Sequence, residues 1–251
     1  MPTRLTVDAH LAAIARSGAA LATAARDAGL AAPVPTCPRW DVTALVTHQG
    51  GVHRWAAANL RGEANPSKPE PPPGTDLLAW YTEGLDTLLG TLRSAADDIT
   101  AMVFLNDAPP PRAFWARRQA HETTIHSVDA VAAAHGAVPP VKDLDLAPEL
   151  AADGIDELLT GFVTRGNGNL HALPGYTLLV RTDDTGHAWT VRIGDGPIVT
   201  TPGDDGPADV EFSGTAAQVY VTLWNRADEI TVQGRPETLD EWRSNVRIRW
   251  R

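Results

Sequence analysis

Glu122 and His126 are the pair in this sequence best suited to chemistry. They lie four apart in ARRQAHETTIHSVDA. On a helix, that spacing puts a carboxylate and an imidazole on one face about one turn apart, where both can reach a single ion. Trp115, Arg118 and Asp129 share the stripe. Asp129 sits one turn beyond His126 and is placed to accept from its ring as an orienting partner. A third donor is His48, in a segment where Ala44, Leu45, Val52 and Trp55 recur at helical spacing, so His48 faces inward and His53 falls on roughly the opposite face. Two imidazoles and one carboxylate from facing helices suit zinc with an open position, or non-haem iron.

Each residue also has a plainer reading. Glu–His pairs four apart arise by chance, and a lone inward histidine is most often a core residue with its hydrogen bonds satisfied. His121 is flanked by Phe114, Ile125, Val128 and Ala132 and reads as structural. His10, His135, His171 and His187 sit near ends or turns and read as solvated, and Arg117–Arg118 as a solvated or ion-paired turn. Cys37 is the single cysteine, so no internal disulfide forms. It lies in a loop with no cationic neighbour beyond Arg39 to activate it. The run GNGN at 166–169 follows a helix rather than preceding one, which makes it a poor anion site.

The elements that must position these groups can be read from periodicity and breakers. Helices are expected over 6–28, 41–61 with Asp41 as N-cap, 75–96, and 112–135 closed by Gly136. The proline-rich stretch NPSKPEPPPG and the cluster Pro109–Pro111 separate them. Four helices joined by breakers predict a four-helix bundle over 1–138. GAVPPVKDLDLAP reads as a linker. Beyond it, over 147–251, one helix spans about 148–165 and the period then becomes two. YTLLVRT and AWTVRIG flank Asp183-Asp184-Thr185-Gly186, a hairpin signal. ADVEFSG and EITVQG read as strands, and TAAQVYVTLWNRA and TLDEWRSNV as helices. The fold class is therefore α+β: a helical bundle followed by a small α/β domain with an antiparallel sheet.

Composition bounds the function. The chain has 251 residues, 43% hydrophobic and 21% charged, enough for one large domain or two of ordinary size. A net charge of -10 with no basic stripe argues against nucleic acid and against an anionic membrane surface. Charged residues interrupt the N-terminal apolar positions, and no later run could span a bilayer, so a cytoplasmic protein is expected. Arginine outnumbers lysine nineteen to two, the mark of a GC-rich genome such as an actinobacterial one.

Three segments carry a resemblance: PRWDVTALVTHQGGVHRWA, WARRQAHETTIHSVDA and VYVTLWNRADEITVQG. Together they resemble the mycothiol-dependent maleylpyruvate isomerase family over nearly the whole chain. The resemblance implies a DinB-like metal-binding bundle in the first half and a sterol-carrier-like domain in the second. It implies His48, Glu122 and His126 as ligands of a divalent metal, zinc or another, and Arg226 as the group from the second domain near the substrate. Without the resemblance, an arginine just past a helix is a plain partner for the helix dipole. The implied activity is a metal- and mycothiol-dependent isomerase or thiol S-transferase, acting on a small electrophilic, carboxylate-bearing substrate. The implied partners are that substrate and a low-molecular-weight thiol, with the chain a monomer or homodimer. Two other functions use the same residues: a metal-dependent hydrolase activating water, and a non-catalytic small-molecule-binding protein.

Overall fold

The structure is a computed structural model, and it describes residues 5–105, 108–165 and 170–248. The GNGN run lies outside them. Thr6–Phe104 and Ala108–Pro140 form one compact unit. The described residues from Val141 onward, with Leu5 and Leu105, form the other.

The first unit contains four helices: α1 (Val7–Ala28), α2 (Val42–Leu60), α3 (Leu77–Ser94) and α4 (Pro111–His135). Their ends follow local chemistry. Thr6, Asp41 and Asp76 each accept from backbone N–H groups of the first turn of α1, α2 and α3. Pro111 starts α4, where its missing N–H has no intrahelical role, and Gly136 ends it in the left-handed region at φ 77°. The main packing pairs are α1 on α4 and α2 on α3, with α2 also against α4. Gly50 permits the close α2–α3 approach, since a Cβ there would collide with the Trp80 ring. The bundle core is apolar around Leu21, Leu45, Val46, Trp80 and Tyr81. Among the described residues, no helix is long and apolar enough to cross a membrane.

In the second unit, the helix expected over about 148–165 is three geometries in series. It comprises α5 (Pro148–Asp156), a π-helical turn over Glu157–Phe162 and a 3-10 turn over Val163–Arg165. Strands β1 (Tyr176–Thr182), β2 (Ala188–Ile193), β3 (Val199–Pro202), β4 (Val210–Gly214) and β5 (Thr231–Gln233) form one sheet in the order β3-β2-β1-β4-β5. The expected hairpin joins β1 to β2, with Val180 opposite Trp189. Antiparallel pairing dominates, but β1 and β4 run parallel, with Val180 opposite Phe212. The sheet is therefore mixed, and β3 is a strand the sequence pattern did not single out. Leu178, Val180, Trp189, Val191, Val210 and Phe212 share one buried face. Helix α6 (Ala216–Leu223) begins with a Thr215–Gln218 capping box and packs against α5, β1 and β4, and α7 (Thr238–Asn245) follows β5.

Candidate metal centre

α2 and α4 bring His48, Glu122 and His126 to one point. Glu122 Oε1 lies 3.4 Å from His48 Nε2 and 3.6 Å from His126 Nε2. One ligand atom from each of the three residues lies within 4.8 Å of the others. Ligands 2.0–2.1 Å from a tetrahedral ion stand about 3.3 Å apart, so this spacing fits a shared cation. Glu122 and His126 are buried, and His48 keeps 17% of its side chain exposed, which leaves a route in.

Each member is held by a second group. The other Glu122 oxygen receives Arg118 at 3.3 Å, one turn back on α4. Of the two readings, solvated or ion-paired, Arg118 takes the ion-paired one, buried and within α4 rather than in a turn. His126 Nδ1 is 2.9 Å from Asp129 Oδ2. That contact sets the proton on Nδ1 and turns Nε2 toward the site. Asp129 is held in turn by the loop between α1 and α2. Thr36 Oγ1 donates to its Oδ1 at 2.5 Å, and the Cys37 thiol lies 3.7 Å from Oδ2. The loop is itself braced by a Pro33–Asp41 bridge and by hydrogen bonds from Val34 N to Trp40 O and from Cys37 N to Val34 O. It presents the Trp40 indole to both imidazoles, with ring centroids 4.9 Å from His48 and 5.8 Å from His126.

Electrostatics separates the two histidines. Burial pulls His48 below its ordinary value, and the Glu122 hydrogen bond offsets only part of this. Burial also pulls on His126, but hydrogen bonds to Asp129 and Glu122 and their charges outweigh it and raise the ring to about 9. Burial opposes the Glu122 charge, yet hydrogen bonds from both histidines and the Arg118 charge hold its carboxyl well below the ordinary value. Without a metal, the centre therefore holds a carboxylate, an imidazolium and a neutral imidazole near neutral pH.

Several other residues sit differently from the sequence reading. His53 is fully buried, because α2 is covered by both α3 and α4 and has no solvent face at that position. It contacts Thr123 of α4 and the Tyr81 ring of α3. His10 is also buried rather than solvated, with its ring 6.1 Å edge-on from that of His121. His135 and His171 are exposed, as the sequence leads one to expect, and His187 is half-buried. Arg226 belongs to the second unit. Asn225, at φ 63°, and Arg226 close the end of α6: Arg226 N donates to Val221 O and Asn225 N to Thr222 O, a Schellman motif. The Arg226 guanidinium donates to Trp224 O at 2.7 Å, so part of its charge serves the helix C-terminus. The sequence reading missed Trp40 and Thr36, and their loop carries no periodic signal that could have found them.

Fold and site together define a class: an α+β chain whose helical bundle gathers two imidazoles and one carboxylate, followed by a small mixed-sheet unit. The family model of the mycothiol maleylpyruvate isomerase N-terminal domain matches residues 11–131, and that of the MDMPI C-terminal domain matches residues 149–241. The chain belongs to the mycothiol-dependent maleylpyruvate isomerase family. Among solved structures, a mycothiol-dependent maleylpyruvate isomerase is similar at a TM-score of 0.60 and 16% identity, covering 91% of this chain and 93% of that one. A histidine-to-alanine variant of a mycothiol-dependent maleylpyruvate isomerase is similar at a TM-score of 0.58 and 15% identity, with the same coverage. Comparison with curated proteins gives no match.

Proposed function

We propose that this chain is a cytoplasmic, metal- and mycothiol-dependent enzyme, an isomerase or thiol S-transferase for a small electrophilic substrate bearing a carboxylate. The observation that carries the reading is the convergence of His48, Glu122 and His126 at ligand spacing within a chain of this family. In this reading residues 1–138 hold the metal and 147–251 supply Arg226.

The donor set fits zinc or a similar divalent ion, since its two nitrogens and one oxygen leave a fourth position open. When bound, such an ion lowers the pKa of a coordinated thiol and holds it as thiolate. The residues do the rest. Glu122 neutralises one positive charge and the imidazoles none, so the centre retains a positive charge that favours an anionic fourth ligand. Asp129 keeps the His126 proton on Nδ1 and its Nε2 lone pair directed at the site. Arg118 fixes the free oxygen of Glu122 and limits it to one ligating atom. Trp40 lies against both imidazoles and keeps water from that side. The family resemblance is what assigns Arg226 to the substrate carboxylate, which its guanidinium would hold as a fork. The nucleophilic sulfur arrives with the cofactor, so Cys37 is not required as one.

The test is elemental analysis of the purified protein, followed by turnover assays with and without mycothiol. One metal per chain, lost in His48→Ala together with thiol-dependent turnover, is the expected result. Full metal occupancy in that variant overturns the ligand assignment, and turnover that needs no thiol replaces the transferase reading with hydrolysis.

A further inference from the structure

Beside the triad lies a second polar cluster that touches no ligand. Gln49 follows His48 on α2, and Thr123 follows Glu122 on α4. Gln49, His53 and Thr123 are each 0% exposed. One polar atom of each, Gln49 Nε2, His53 Nε2 and Thr123 Oγ1, closes a triangle, and Gln49 Oε1 and His53 Nδ1 are buried outside it. Gln49 Nε2 is 2.9 Å from His53 Nε2 and donates to Thr123 Oγ1 at 3.1 Å, while His53 Nε2 is 3.0 Å from Thr123 Oγ1. Two edges cross between the helices, and both end on one hydroxyl. Burial pushes His53 down to about 3, so near neutral pH these hydrogen bonds are made by a neutral ring.

The choice of residues is informative. Threonine is a weak helix former, yet two occur in succession inside α4 directly after the glutamate. Thr124 Oγ1 is 2.9 Å from Ser17 Oγ on α1. One threonine therefore ties α4 to α2, and the next ties it to α1. Apolar helix faces can slide with gradual loss, because burial is non-directional. A buried hydrogen bond fails over a fraction of an ångström and strands its desolvated partners. A shift of α2 by one residue in register turns the helix by about 100° as well as moving it about 1.5 Å, and so carries the His48 ring off the face that meets Glu122.

The geometry points to the Gln49–His53–Thr123 triangle as the register pin of α2 against α4, the positioning group that holds His48 opposite Glu122. This inference rests on the metal reading of the triad. Zn2+ affinity, measured in the full chain by competition with a chromophoric chelator, tests it in Thr123→Val, Thr123→Ser and Ser17→Ala. Thr123→Val should lose about tenfold in affinity, the fold-change that one buried hydrogen bond carries. Thr123→Ser, which keeps the hydroxyl, should restore it. Ser17→Ala breaks the α1–α4 bond instead and should bind as the wild type does. Wild-type affinity in Thr123→Val, or an equal loss in Ser17→Ala, overturns the pin. If the wild type binds no Zn2+, the metal reading has failed, and the pin is judged on the metal-free chain by NMR. The ring signals of His48 and His126 should move in Thr123→Val and stay in Ser17→Ala; unmoved signals in Thr123→Val overturn it.

Discussion

Lowering the pH from 8 to 7 should weaken metal binding at the triad about tenfold. The reasoning starts at His126, whose pKa is raised to about 9 by Asp129 and Glu122 against the opposing effect of burial. Near pH 7 the ring is protonated, and its Nε2 must lose that proton before it can ligate. His48 is already neutral, because burial lowers its pKa, and Glu122 is already ionised. One proton, and only one, leaves per ion bound. Each pH unit below 9 then multiplies the apparent dissociation constant about tenfold, or about 1.4 kcal/mol. Calorimetric titration with Zn2+ in buffers of different ionisation enthalpy reads the proton count directly. A release near one proton at pH 7 that fades above pH 9 is expected. Affinity that is flat between pH 7 and 9, with no buffer-dependent heat, refutes the argument. The metal-free protein carries the matching signature. Because the folded pKa of His126 is raised, its contribution to stability is fully present below pH 6.5 and is lost as pH rises through about 9. A shift from 6.5 to about 9 amounts to about 3 kcal/mol. Bound metal replaces the proton, so the alkaline loss should disappear on loading, which thermal unfolding across that window checks.

Further outcomes follow from neighbouring contacts. Asp129→Asn removes the charge that orients His126 and should weaken Zn2+ binding about tenfold to hundredfold, measured by chelator competition. Arg118→Met removes one of the two cationic partners of the buried Glu122 carboxylate, leaving the His126 imidazolium, and should destabilise the metal-free protein by about 1–3 kcal/mol in denaturant unfolding; Zn2+ should restore much of this by supplying another positive charge. Gly50→Ala should lower stability by about 1–3 kcal/mol despite alanine's better helix propensity, since the new Cβ meets the Trp80 ring; a raised melting temperature would contradict this packing.

Much of the fold and the core of the site could be read from the sequence because both rest on local rules. Helix caps at Asp41 and Gly136 depend on residues a few positions away, and the β1–β2 hairpin is set by its turn. Glu122 and His126 share a face through the helical repeat alone, and His48 can be singled out by the apolar residues around it. Tertiary structure decided what lies beyond that range. Thr36 reaches Asp129 across 93 positions, and Trp40 meets both imidazoles from a loop with no repeat. His53 is buried because two helices cover α2, and a single helical wheel cannot show how many neighbours a helix will have. The parallel β1–β4 pairing likewise joins segments about thirty residues apart, and alternation along each strand says nothing of which partner it will choose. Local hydrogen bonding and periodicity act over one or two turns of chain, whereas these contacts depend on how the completed elements pack.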